Sequence, residues 1–263
     1  MERNNNNMWW RQIEARTTVG KLAQPLIAII ALTLIGDAAA CERTMLRTRS
    51  ISNYDKQLIL DLHNAMRQSI ALGQIGGQPP AANMMEMKWD EELAERAQKW
   101  TQTCYSETHD HQRDVSRFPV GQNIATTWTT KPPGGYYDTE PDFADAISKW
   151  FNEYKSFHFG PIGRGNTGHY TQLIWAETNL IGCGYSFYYD SSKGYTKNYV
   201  CNYGPGGNVL GQPPYAKGYP NCNKNGLTES IRFSGLCNKP VAAKPTSTSN
   251  TYFFGFSNYL GRK

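Results

Sequence analysis

Between residues 53 and 73 the apolar positions recur every fourth residue, as Leu58, Leu62, Met66 and Ile70. That period predicts an amphipathic helix, and Ser52-Asn53-Tyr54-Asp55 ahead of it resembles a capping box. Gly73 ends the pattern, and His63, Asn64 and Arg67 ride on the same helix. A Gly/Pro-rich loop, GQIGGQPPAAN, follows. Asp90 then stands where it would cap a second helix, in which Leu93, Ala97, Trp100 and Cys104 form one stripe at spacings of four, three and four. The same spacings place Phe143, Ile147, Trp150 and Tyr154 on one face of a third helix, predicted to start at Pro141, with Glu153 close beside the stripe.

Further on the period changes to two. Cys183, Tyr185, Phe187 and Tyr189 alternate with Gly184, Ser186 and Tyr188, and Tyr199, Cys201 and Tyr203 alternate later, which predicts two strands. If the turn Asp190 to Gly194 closes a hairpin centred on Ser192, Cys183 lies directly opposite Cys201, close enough for a disulfide that would pin the register. The stretch GHYTQLIW, Gly168 to Trp175, also reads as a strand, with His169 at its mouth. From Gly204 onward glycine and proline predict a coiled extension in which Cys222 and Cys237 close a small loop. Residues 238–263, rich in Ser, Thr and Asn, are expected to be a disordered tail.

The first forty residues differ from the rest. Arg11, Arg16 and Lys21 precede the apolar run LIAIIALTLI and then Ala38-Ala39-Ala40, the layout of a signal peptide over residues 1–40; retention of the run as a signal anchor is the alternative. Removing that leader takes four of 27 Lys and Arg and three of 22 Asp and Glu, leaving 23 against 19. The remaining excess is mild and scattered, so nucleic-acid binding has no footprint and no stable membrane insertion is expected of the secreted part. All six cysteines fall after the leader with no Cys-x-x-Cys pair, which suits three structural disulfides in a secreted chain. With 39% hydrophobic residues the chain can close a core.

Motifs for common chemistries are missing. There is no Gly-x-Ser-x-Gly, no His-Glu-x-x-His and no P-loop. GRGNTG, Gly163 to Gly168, matches a dinucleotide fingerprint in letters only, because no strand is predicted before it and no helix after it. What remains is a dispersed polar set, His109 or His111, Gln122, Glu153 and His169, beside apolar stripes. Taken singly, each reads as a hydrogen-bonded structural residue before it reads as a catalyst.

Taken together, the motifs resemble a family. GHYTQLIW and YVCNYGPGGN (Tyr199 to Asn208) are similar to the two signature segments of the CAP superfamily, the cysteine-rich secretory, antigen 5 and pathogenesis-related 1 proteins. HNAMR (His63 to Arg67), QPPAANM (Gln78 to Met84) and VGQNIA (Val120 to Ala125) stand in the expected order. The look is that of arthropod antigen 5-like proteins of venom and saliva. The resemblance implies an α+β fold, a three-layer α-β-α sandwich of the CAP type with a short disulfide-stapled C-terminal extension. Residues 41–53 would form an N-terminal segment, 54–212 the CAP domain and 213–237 the Gly/Pro-rich extension. It also supports Cys183–Cys201, suggests Cys41–Cys104 and leaves Cys222–Cys237.

The resemblance further implies a cleft holding two histidines and two acidic residues. Carried over by position these are His109 (or His111, if that loop is shifted by two), Glu153 and His169, with Gln122 where many members have glutamate. An amide in place of an anionic ligand weakens a site for Zn2+ or another divalent cation and removes a general base, so no cofactor is required and metal binding is expected to be weak. The expectation is a secreted, non-enzymatic protein of venom or saliva, allergen-like, that binds a host or prey protein such as an ion channel, or a lipid or sterol. A divalent-metal-dependent peptidase using the cleft histidines and Glu153, and a tissue or immune protein with a vestigial cleft, are the alternatives.

Overall fold

The computed structural model describes residues 43–48, 50–103 and 105–240. The assigned leader, the Cys41–Cys104 pair and the tail beyond residue 240 lie outside these residues. Strand β1 (Arg43–Arg47) is followed by helix α1 (Asn53–Ala71), strand β2 (Lys88–Trp89), helix α2 (Glu91–Thr101) and strand β3 (Gly121–Thr129). Then come helix α3 (Phe143–Asn152), the short helix α4 (Gly168–Leu173), the long strands β4 (Leu180–Asp190) and β5 (Gly194–Gly204), and the small strands β6 (Thr228–Glu229) and β7 (Cys237–Asn238).

The sheet runs β1-β4-β5-β3 with antiparallel neighbours, and β2 adds to β4 in parallel. The β4–β5 hairpin is centred on Ser192 throughout, so Cys183 pairs with Cys201 and their disulfide spans Cα atoms 4.1 Å apart. Both faces of the hairpin are covered. Ile181, Cys183, Tyr185 and Phe187 join Tyr199, Cys201 and Tyr203 in the main core with Ile59, Ile70, Phe143, Ile147 and Trp150 from α1 and α3. The intervening residues meet α2: a Cβ at Gly182 or Gly184 would run into the backbone of Ala94 or Gln98, so glycine lets this helix lie directly on the sheet. Ser186 Oγ donates to Thr101 O and Asn202 Nδ2 to Leu93 O on the same side. The result is three layers, α1, α3 and α4 on one face and α2 on the other.

Helix α1 starts with the capping box expected of it, Ser52 Oγ accepting from Asp55 N while the Asp55 carboxylate accepts from Ser52 N. Its buried face is not the predicted one. Ile59, His63, Arg67 and Ile70 are sealed, whereas Leu58, Leu62 and Met66 are half-buried. The helix is rotated by about one position because His63 and Arg67 find partners inside the protein. The third helix begins at Phe143 rather than Pro141, since Asp142 takes the N-cap and accepts from Asp145 N. In the second, Leu93 and Ala97 are buried but Trp100 only half so.

The largest correction concerns GHYTQLIW, which forms helix α4 and an irregular turn instead of a strand. A helix therefore does follow GRGNTG, although no strand precedes it. The extension is not a loose appendage either. Cys237 N donates to Met84 O and Glu86 N to Cys237 O, and the Cys222–Cys237 disulfide closes the loop behind them. Asn238, assigned to the tail, pairs with Thr228 across β6 and β7.

Arg67 closes the fold at the junction of these parts. Its Nε donates to Met85 O (2.8 Å), Nη1 to Leu173 O (2.9 Å) and Trp175 O (2.8 Å), and Nη2 to Ala176 O (3.1 Å) and Thr178 O (2.9 Å). All five guanidinium donors are used, and the side chain is fully buried. Arg67→Lys keeps the charge but offers three donors in a different geometry to five carbonyls. It is expected to lower the unfolding free energy by about 3–5 kcal/mol, read as a shift of the urea midpoint with little change in slope.

Candidate functional site

Glu153 follows α3 directly, in a single 3-10 turn, and its carboxylate is used twice. Oε1 accepts from His169 Nδ1 at 2.7 Å and Oε2 from Tyr170 N at 3.0 Å, so the side chain holds the imidazole and also satisfies an orphan donor of the first turn of α4. Trp150, one turn before Glu153, stacks on the His169 ring with centroids 6.0 Å apart. Asn123 Nδ2 donates to His169 O at 3.0 Å. His169 is thereby fixed from α3, α4 and β3 at once, with 38% of its side chain exposed.

Gln122, on β3, is 7% exposed and holds the other histidine. Its Oε1 accepts from His109 Nδ1 (3.1 Å) and Asp110 N (3.0 Å), and its Nε2 donates to Asn202 Oδ1 (3.0 Å). The direction of this chain is fixed at its far end: Asn202 Nδ2 must donate to Leu93 O, so Asn202 Oδ1 must accept. His109, and not His111, makes the bond to Gln122, and both histidines are exposed.

Gln122 and Asn123 are consecutive strand residues, so their side chains leave β3 on opposite faces. Gln122 belongs to the α2 side through Asn202 and Leu93; Asn123 belongs to the α1 side. There Asn123 Nδ2 also donates to Tyr203 Oη (3.3 Å), and Tyr203 Oη meets His63 Nε2 (3.0 Å). His63 Nδ1 lies 2.8 Å from Ile59 O, which can only accept, so Nδ1 carries the proton and Nε2 accepts from the tyrosine. Burial lowers the His63 pKa to about 4, with the nearby Arg67 charge acting the same way, and keeps the ring neutral.

The structure thus joins the four sequence-selected residues as two pairs, His109 with Gln122 and His169 with Glu153. Among the described residues, no three His, Cys, Asp or Glu side chains converge where a metal could sit. Each imidazole is left with Nε2, while the Glu153 oxygens and Gln122 Oε1 already accept. This donor set does not fit a zinc site of three or four protein ligands. Nor does any hydrogen bond join a Ser, Thr or Cys side chain to either imidazole among the described residues.

The profile of the cysteine-rich secretory protein (CAP) family matches residues 60–203. The chain belongs to the CAP family. Salivary antigen-5 of Dipetalogaster maximus is 36% identical to this CAP protein over 248 residues, 89% of this chain and 99% of that one. Venom allergen 5.02 of Dolichovespula maculata is 40% identical over 187 residues, 67% of this chain and 83% of that one. Among solved structures, that of BmVAL-1 aligns with a TM-score of 0.61 at 25% identity, over 73% of this chain and 97% of that one. The crystal structure of NaASP2 with Zn2+ aligns with a TM-score of 0.57 at 30% identity, over 72% and 98% respectively. In this CAP protein His63, Asn123, Asn202 and Tyr203 support the site. They lie inside or beside the recognised motifs HNAMR, VGQNIA and YVCNYGPGGN, which was the available signal.

Two measurements probe this architecture. His63 has a folded pKa near 4 against 6.5 when solvated, so it favours the native state fully above pH 6.5, and that contribution is lost as the pH falls towards 4. The loss is on the order of 3 kcal/mol, and denaturation of His63→Gln across that range should show a correspondingly flatter pH dependence. Gln122→Glu puts a carboxylate oxygen against Asn202 Oδ1, where the wild type has a donor. It is expected to cost about 1–3 kcal/mol by urea unfolding at neutral pH, more than Gln122→Met does.

Proposed function

We propose that this CAP protein is a secreted, non-enzymatic component of saliva or venom that acts by binding, its partner being a host or prey protein such as an ion channel, or a small hydrophobic ligand. The observation that carries the reading is the internal engagement of the site. Among the described residues Glu153 is the carboxylate bonded to either imidazole, its oxygens accept from His169 and from the backbone of α4, and Gln122 supplies no charge. A general base needs a lone pair aimed at a substrate or water, and a hydrolase needs something to activate. The likeness to salivary antigen-5 and venom allergen 5 proteins supports the setting.

A metal-dependent peptidase is the second reading, favoured by one observation: the similar NaASP2 has been crystallised with Zn2+. In this chain the open donor of each pair is a single imidazole Nε2, beside an amide at His109 and a carboxylate at His169, a weak set for the ion. Incubation of the purified protein with a peptide library, with and without added zinc, is expected to give no new cleavage products. Cleavage that disappears in both Glu153→Gln and His169→Ala would establish the peptidase and overturn the binding reading. Lipid extraction followed by mass spectrometry then separates a lipid carrier from a protein ligand.

A further inference from the structure

We propose that Tyr137 is a tyrosine O-sulfation site, modified by a sulfotransferase that uses 3′-phosphoadenylyl sulfate; the proposal rests on the secreted reading above. Tyr137 sits in a short 3-10 turn, Tyr136–Thr139, on the connection from β3 to α3. Among the described residues it is the most exposed of the large hydrophobic side chains apart from Ile231, at 87%, and its hydroxyl makes no hydrogen bond there. The neighbouring Tyr136 is different. Arg47 Nη2 donates to its hydroxyl at 3.3 Å, and the guanidinium lies 4.9 Å from its ring centroid.

Along the chain, the residues that follow Tyr137 are of the kind that a cationic transferase cleft recognises. Asp138, Glu140 and Asp142 follow within five residues, and no Lys or Arg lies within five residues on either side. Asp138 and Asp142 are exposed. Gly134 and Gly135 lie just before the pair, and the Tyr136 ring meets the Tyr137 ring edge-on with centroids 5.9 Å apart. Of the other strongly exposed tyrosines, Tyr54 has Arg49 and Lys56 nearby, and Tyr219 has Lys217 and Lys224 with no acid within five residues. Tyr105, 68% exposed, has Glu107 and Asp110 and no Lys or Arg within five residues, but Glu107 is paired with both Arg43 and Lys193.

The chemistry needs nothing from this chain beyond the phenol. The phenolic oxygen attacks sulfur, the bond from sulfur to the bridging phosphate oxygen breaks with its electron pair leaving on the phosphate, and the phenolic proton passes to a base of the transferase. Nothing is oxidised or reduced. The product is a sulfate ester carrying a permanent negative charge. Tyr137 shares a groove of about 380 Å³ with Lys131 and Lys197, whose ammonium groups supply counter-charge for the ester on the folded surface.

The test is expression of the full chain, leader included, in a cell line whose Golgi sulfates tyrosine, with labelled sulfate in the medium. Label is expected on the secreted protein, on the peptide holding Tyr137, resistant to phosphatase and abolished by chlorate. Tyr137→Phe should lose it and Tyr136→Phe retain it, with both variants secreted like the wild type. Secreted protein without label at Tyr137, or with equal label on Tyr54 or Tyr219, overturns the proposal while leaving the secreted reading intact. Protein retained inside the cells overturns the secreted reading and the proposal with it.

Discussion

A fully buried guanidinium surrounded by carbonyl oxygens and no carboxylate is the constraint on which the other parts of this structure depend. Arg67 meets five main-chain carbonyls, one from the segment leading into β2 and four from residues 173–178. Burial pulls its pKa down to about 9, so it remains a cation at neutral pH. Buried backbone carbonyls must be paired, and an irregular turn has no ladder to pair them. The arginine does for this turn what a neighbouring strand does elsewhere, and it joins α1, the segment before β2, the end of α4 and the start of β4. Any side chain with fewer donors leaves carbonyls orphaned, which is why the fork geometry matters more than the charge.

Helix α4 shows how that constraint reaches the site. Six residues are too few for a helix to persist on its own propensity, and Gly, His, Tyr and Thr are poor choices for one. Both ends are held from outside: Glu153 accepts from Tyr170 N at the start, and Arg67 donates to Leu173 O at the end. His169 is presented by a helix that other elements build. This explains why its position is well defined, with each Glu153 oxygen accepting one of the bonds that hold it.

The same facts mark what could be read in advance. The hairpin was legible down to its register because strand alternation and the turn composition are local signals, and the cysteine pair depends only on them. The caps at Ser52 and Asp90 were legible for the same reason. GHYTQLIW was misread because β-branched and aromatic residues favour a strand locally, while the side chains that hold it as a helix, Glu153 and Arg67, lie 17 and 106 residues from their partners Tyr170 and Leu173 and are reached only through the tertiary fold. The α1 stripe was misassigned by about one position because the reading put polar residues outside. His63 and Arg67 have internal partners that no periodicity reveals. The pairing of His109 with Gln122 and of His169 with Glu153 likewise depends on which face of β3 each neighbour leaves.

Gln122 draws these threads together. As an isolated departure from glutamate it looks like a lost ligand or a lost base. In place, it is the one side chain at that position that can donate to Asn202 Oδ1 and accept from Asp110 N at once, and Asn202 cannot turn round without abandoning Leu93 O. A carboxylate supplies acceptors only, so it would leave two oxygens facing each other at a nearly buried position. The amide belongs to a directional chain linking the His109 loop, β3, β5 and α2. The polar interior of this protein fixes loops and helix ends, and the groups it leaves open are imidazole edges and surface side chains.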